Sequence, residues 1–222
     1  MTRDTDPLQA AKNNNMNVYE GHLGGYIMSS ADPAPSGLDI THGDPATWYP
    51  ELWLWTMSHL GVRSVLDVGC AEGHCIEFYH RRGCNVRGVD GSRLAKERSL
   101  LNARHDVHDF TDGPYTPPGR YDLVWCCEFV EHVEERYMPN FLHTFGSADR
   151  FIMLTYAVRG QEGWHHVNCQ PREYWLQQLE DIGYQYDPTL TEHARTTARR
   201  GHFKVKGLVF VAPNTSLEGT VY

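Results

Sequence analysis

The stretch VLDVGCAEGH, Val65 to His74, decides the fold. A short apolar run ends at Val68, two glycines follow at positions 69 and 73, and a segment of helical character begins near Glu72. Strand, tight turn and helix in that order make the first half of a βαβ unit. In an open parallel sheet such a turn lies at the carboxyl ends of the strands, where ligands bind. Its glycines let backbone approach a ligand closely. The spacing G-x-x-x-G departs from the dinucleotide fingerprint G-x-G-x-x-G and lacks the G-K-[ST] ending of a phosphate loop. A nicotinamide or nucleoside triphosphate site is therefore disfavoured.

Outward from this turn, apolar runs alternate with amphipathic stretches. Ser64 to Val68, Asn85 to Val89, Tyr121 to Trp125 and Arg150 to Thr155 read as strands, and Glu72 to Arg82, Ser92 to Asn102, Tyr137 to Phe145 and Pro171 to Ile182 as helices. That alternation implies right-handed crossovers and a parallel sheet with helices on both faces. Upstream, Trp48, Leu52, Trp55 and Leu60 fall near helical spacing, with Asp44 as N-cap, Pro45 in the first turn and Gly61 as the stop. The tail HFKVKGLVFVAP (202–213) reads as two further strands returning antiparallel at the sheet edge. Residues 1–43, rich in Asn, Asp, Gly, Pro and Ser, read as a mobile arm and lid-like loop ahead of a single domain over 44–222.

The chain has 222 residues, 41% hydrophobic and 22% charged, with a formal net charge of -8, thirteen histidines and six cysteines. A core of this size folds without disulfide or metal staples. The acidic balance argues against a protein that holds long nucleic acid by general electrostatics and favours a small polar partner. No run approaches the roughly 18 apolar residues of a membrane span, and the start lacks the apolar centre of a signal peptide. The expectation is a soluble, cytoplasmic protein without a membrane partner. Cys70, Cys75, Cys84, Cys126, Cys127 and Cys169 form no C-x-x-C pair and read as reduced thiols.

The next strand ends in VDGS, which puts Asp90, Gly91 and Ser92 about twenty residues after the glycine turn, where a carboxylate can accept both ribose hydroxyls. The following strand ends HDF: Asp109 is placed to accept from an adenine amine and Phe110 to pack on its face. With VLDVGCAEGH, GVDGS, HDF and YDLVWCCEFVEHV together, the sequence resembles the class I S-adenosylmethionine-dependent methyltransferases over Ser64 to Pro213. That resemblance implies a doubly wound, Rossmann-like α/β fold, a mostly parallel seven-stranded sheet with an antiparallel last strand. It also implies S-adenosylmethionine as cofactor, held by Asp67, Gly69, Cys70, Ala71, Gly73, Asp90, Gly91, Ser92, Asp109, Phe110, Cys127 and Glu128. Asp67 would organise the loop and orient the methionine amine, Gly69 would approach the cofactor, and Cys127 and Glu128 would face the methyl group. Ala71 stands where the family often has glycine.

Beyond the fourth strand, Glu128, Glu131 and His132 stand at i, i+3 and i+4, and share one face if the segment turns helically. After the fifth strand, His165 and His166 return to the same edge of the sheet. The pattern E-x-x-E-H with a downstream histidine resembles two metal-assisted groups, the small-RNA terminal 2'-O-methyltransferases and the ubiquinone-pathway O-methyltransferases. Carried over, Glu128, Glu131, His132 and one of His165 or His166, with His166 taken first, become ligands for Mg, Mn or, less well, Zn, and His132, His165 and His166 catalytic residues. A bound cation would lower the pKa of an acceptor hydroxyl.

The substrate side is expected from GGYIM (24–28), from Trp48, Tyr49 and Trp53, from the loop 161–168, and from EHARTTARRGHFK (192–204). Arg195, Arg199, Arg200 and Lys204 make the last a basic patch suited to a phosphate or carboxylate, or else a solvated hairpin. The whole layout also resembles compact bacterial and phage methyltransferases. Methyl transfer to an oxygen of a small polar acceptor, such as a sugar or nucleotide-linked metabolite, is the expected activity. Methylation of an RNA terminus and noncatalytic cofactor binding are the competing readings.

Overall fold

The computed structural model describes residues 45–161, 163 and 165–216. The arm at 1–43, with GGYIM, and the Asp44 cap lie outside the described residues. Seven strands form one sheet in the order β3-β2-β1-β4-β5-β7-β6. They are β1 (Ser64–Val68), β2 (Asn85–Asp90), β3 (His105–Val107), β4 (Tyr121–Cys126), β5 (Ala148–Leu154), β6 (Gln185–Tyr186) and β7 (Leu208–Val211). β1 to β5 are mutually parallel, whereas β7 runs antiparallel to β5 and β6 antiparallel to β7. The order reverses between β1 and β4, the place where ligands settle in open α/β sheets.

Period-2 alternation sends successive side chains to opposite faces. Val65, Leu123, Trp125, Phe151, Met153 and Val209 face one layer of helices. That layer comprises α1 (Pro50–Ser58), α2 (His74–His80), α6 (Pro188–Ala198) and α7 (Gly201–Lys206). Leu66, Val124, Cys126, Ile152, Leu154 and Phe210 face the other, made by α4 (Met138–Phe145) and α5 (Arg172–Asp181). Both faces are covered, which is why the central strands read as continuous apolar runs. The short α3 (Arg93–Glu97) follows β2. The six cysteines are free, and no helix among the described residues is long and apolar enough to cross a membrane.

Three expectations need correction. The tail forms one strand, not two: Gly201–Lys206 is helical, and the outer strand is Gln185–Tyr186. The alternation of Phe203 with Val205 mimics a strand, yet Phe203 is fully buried and Val205 is 66% exposed, as a helical turn allows. The segment 192–204 is accordingly two helices and no hairpin. The first long helix begins at Pro50 with Tyr49 at its N-cap, after a separate 3-10 turn at Pro45–Thr47. Tyr49 and Trp53, expected on the substrate side, are buried in the core, as are Trp55 and Trp175.

Candidate active site

The glycine turn is held by backbone geometry that needs its small residues. Gly69 and Gly73 sit at φ 77° and 80°, and Ala71 between them at 44°. A Cβ on Gly69 would lie 2.6 Å from Cδ2 of Phe129, so the Phe129 ring packs directly on the glycine. Asp90, the last residue of β2, clasps the turn. Its Oδ2 accepts from the Ala71 N–H and its Oδ1 from the Ser92 N–H, both at 2.8 Å. Ser92 in turn caps α3 by accepting from the Ala95 N–H at 2.9 Å. Asp67 is buried beneath the turn. Burial, then the negative charge of Asp90, pushes its carboxyl up to about 8. Cys70 is buried against Gly88, and the same burial pushes its thiol up.

A shallow cleft, partly open to solvent, runs along the carboxyl ends of β2, β3 and β4. Asp90, Gly91, His108, Asp109, Phe110, Thr111, Phe129, His132, Val133, Glu134 and His165 line it. Asp109 accepts from the Thr111 N–H at 2.8 Å, and Phe110 meets Phe129 edge-on with ring centres 5.5 Å apart. Carboxylates and an aromatic face in one cleft suit a nucleoside with a diol and an exocyclic amine. Of the expected cofactor residues, Asp90, Gly91, Asp109 and Phe110 come together there. Asp67, Gly69, Cys70, Ala71, Gly73 and Ser92 stand behind them and shape the turn. Cys127 packs into the core on the α1 side.

The turn after β4 is strained at one residue. Glu128 has φ 52°, a left-handed conformation that costs a non-glycine residue about 1–2 kcal/mol. Thr155 holds it: the Glu128 N–H donates to Thr155 Oγ1 at 2.7 Å, and that hydroxyl donates to Glu128 Oε1 at 2.8 Å. His202 of α7 brings Nδ1 to 3.3 Å from Oε2. Past this residue the chain makes only a 3-10 turn, Val130–His132. The expected helical face shared by Glu128, Glu131 and His132 is therefore not formed.

Glu131, His132 and His166 do meet. One ligand atom from each lies within 4.8 Å of the others, and the two imidazole centres are 5.0 Å apart. Glu131 is fully buried, and neither oxygen of its carboxylate makes a well-formed hydrogen bond. Burial, followed by the charge of Glu128, raises its pKa well above the usual carboxylate range. Its carbonyl accepts from the N–H groups of Val167 and Asn168, which ties the downstream loop to the turn. Within that loop a Cβ on Gly163 would fall 2.2 Å from Cε1 of His166, so the glycine makes room for the ring. His165, at φ 51°, turns instead into the cleft. Glu128 stands outside the three-residue group, drawn toward Thr155 and His202.

The sequence reading passes over four contributors. Phe129, lying inside the quoted motif, was legible by position. Thr155 and His202 carry no local signal, because each matters through Glu128, far away in the chain, whereas Gly163 acts on His166 only three residues on.

A model of the methyltransferase domain family matches residues 40–189. The ubiquinone biosynthesis O-methyltransferase of Azoarcus sp. is 32% identical over 125 residues, covering 47% of this chain and 54% of that one. The enzyme of the same name from Ralstonia nicotianae is 32% identical over 90 residues, 37% and 38% of the two chains. The chain thus spans about half or less of the length of these curated relatives. Among solved structures, the magnesium protoporphyrin IX methyltransferase of Synechocystis PCC 6803 with bound SAM aligns with a TM-score of 0.54 at 20% identity, covering 73% of this chain and 76% of that one. A sugar N-methyltransferase from Streptoalloteichus sp aligns with a TM-score of 0.55 at 14% identity, covering 75% and 86%. These two share the fold. The family match over most of the chain, laid on the sheet order and the glycine turn, shows that the protein belongs to the class I S-adenosylmethionine-dependent methyltransferases.

Proposed function

We propose that the protein moves a methyl group from S-adenosylmethionine to an oxygen of a small polar acceptor, with a divalent cation held by Glu131, His132 and His166. The observation that carries the metal-assisted form is the Glu131 carboxylate, buried without a well-formed hydrogen bond and set beside two imidazoles. A buried carboxylate without a well-formed partner is costly in a core, and a cation or a proton relieves it. One carboxylate and two imidazoles suit Mn or Zn better than Mg, which prefers an all-oxygen shell. Transfer to oxygen is supported by the names of the relatives at 32% identity.

When bound, the donor supplies an electrophilic methyl on a sulfonium, and the cation supplies polarisation of the acceptor hydroxyl. The chain's own task is mainly placement. Asp90, fixed by two backbone N–H groups, and Asp109 with Phe110 would hold the nucleoside end. Glu128, held by Thr155 and His202, presents a fixed carboxylate next to the metal group, suited to accept the acceptor's proton. The acidic charge balance, -8, favours a small acceptor over a nucleic acid.

Methyl transfer from labelled S-adenosylmethionine to a panel of hydroxylated small molecules tests this. Chelator is expected to abolish transfer and Mn to restore it. Full turnover in chelator, with no metal found in the protein, contradicts metal assistance.

A further inference from the structure

The run E-F-V-E-H brings two carboxylates to the turn after β4, and the fold sends them to different partners. Glu131 joins His132 and His166, with ligand atoms within 4.8 Å of one another. Glu128 joins no such group among the described residues. It is nonetheless near, for its negative charge acts on the Glu131 carboxyl. Two side chains from distant parts of the sequence keep it out.

Thr155 is the first of them. It is fully buried just past β5, and its N–H donates to the Cys126 carbonyl at 3.1 Å. Its hydroxyl carries one proton, and the Glu128 Oε1 at 2.8 Å is a far better acceptor than the Cys127 sulfur at 3.8 Å. The same hydroxyl oxygen accepts from the Glu128 N–H at 2.7 Å. Backbone and carboxylate of Glu128 are thus tied to one atom.

His202 is the second, with Nδ1 at 3.3 Å from Glu128 Oε2. Its neighbours place it there. A Cβ on Gly201 would fall 2.1 Å from the Ala46 carbonyl oxygen, and the Phe203 N–H donates to the Tyr49 hydroxyl at 2.9 Å while its ring stacks on Trp125. The chain enters α7 through a left-handed residue, Arg199 at φ 61°. The helix is therefore pinned on either side of position 202 without help from the imidazole. Both oxygens of Glu128 are engaged by groups outside the Glu131, His132 and His166 set.

We propose that Thr155 and His202 are selectivity residues that withhold Glu128 from the metal group and so restrict it to one carboxylate and two imidazoles. This rests on the metal-assisted reading of Glu131, His132 and His166. A second carboxylate would add negative charge and oxygen donors, which a hard cation such as Mg rewards most. With Glu128 withheld, the group suits Mn or Zn, and the second carboxylate stays available to take the acceptor's proton. Side chains that hold or turn a ligand commonly tune a site in this way.

Mn is the probe, its unbound fraction read by electron paramagnetic resonance, with Mg measured by competition on the full chain. Wild-type protein should bind Mn saturably and in preference to Mg. Glu131→Gln should weaken Mn binding at least about tenfold, whereas Glu128→Gln should leave it at the wild-type value. His202→Ala and Thr155→Val, which release Glu128, should each raise Mg affinity at least about tenfold, and by a larger factor than Mn affinity. That gain should vanish when Glu128→Gln is added, and should be absent from His202→Gln and Thr155→Ser, which keep a hydrogen bond to Glu128. Should Thr155→Val fail to fold, the half-buried His202 decides alone. Equal weakening of Mn in Glu128→Gln and Glu131→Gln overturns the proposal. So does an unchanged preference in His202→Ala, or a change that persists once Glu128→Gln is added. These outcomes leave the metal-assisted reading standing; absence of Mn binding in the wild type contradicts that reading and this inference together.

Discussion

Gly69 leaves no room for a side chain, since the Phe129 ring occupies the space a Cβ would take and the backbone sits at φ 77°. Gly69→Ala should therefore destabilise the protein by about 1–3 kcal/mol in a denaturant titration, through both backbone strain and overpacking. A change within experimental error would place Phe129 elsewhere. Asp67 carries a second prediction. Its folded pKa of about 8 exceeds the ordinary 3.8, so between those values the folded chain keeps a proton that the unfolded chain releases. Stability from this group is complete below about pH 4 and is lost as pH rises toward 8. Asp67→Asn should remove that loss, so that its stability relative to wild type climbs by at most about 1.4 kcal/mol per pH unit and levels off above pH 8. A gap between variant and wild type that is constant with pH would show Asp67 ionised in the fold. At this scale Asp90, Asp109 and Phe110 were readable by position, although only Asp90 ends a strand; β3 stops at Val107, and Asp109 and Phe110 lie in the loop just past it, not in the strand as expected. The left-handed Glu128 was not readable, because its conformation depends on Thr155, 27 residues away.

Among elements, the strands and main helices were legible from periodicity, and the misread one is α7. A six-residue helix has too short a period to distinguish from a strand when two apolar residues alternate with lysines. What fixes it is tertiary. Phe203 stacks on Trp125 with ring centres 5.1 Å apart, and its N–H donates to the Tyr49 hydroxyl at 2.9 Å. Phe203→Ala should cost about 3–5 kcal/mol of stability. At a temperature where that variant is still folded, methyl transfer should fall while affinity for S-adenosylhomocysteine holds, because α7 carries His202 to Glu128 and lies away from the nucleoside cleft. Equal loss of both would mean that α7 supports the whole sheet and not the acceptor side. The turn after β4 teaches the same lesson. The spacing of Glu128, Glu131 and His132 was readable, but its grouping was decided by the downstream loop, where Gly163 admits His166.

Across the whole molecule, the acidic balance resolves into placed charges. Asp67 and Asp90 sit at the ends of the first two strands, Asp109 lies on the cleft wall, and Glu128 and Glu131 face the imidazoles of His202, His132 and His166. On the proposed function, labour divides between a donor end at β2 and β3 and an acceptor end at β4, β5 and α7. Calorimetric titration with S-adenosylhomocysteine tests this division most directly. Wild-type protein should bind one equivalent saturably, Asp90→Ala should bind at least about tenfold more weakly, as expected for loss of a charged hydrogen-bonding group, and His132→Ala should bind as wild type does. Absence of binding in the wild type, or undiminished binding in Asp90→Ala, would contradict the assignment of the cleft to the methyl donor.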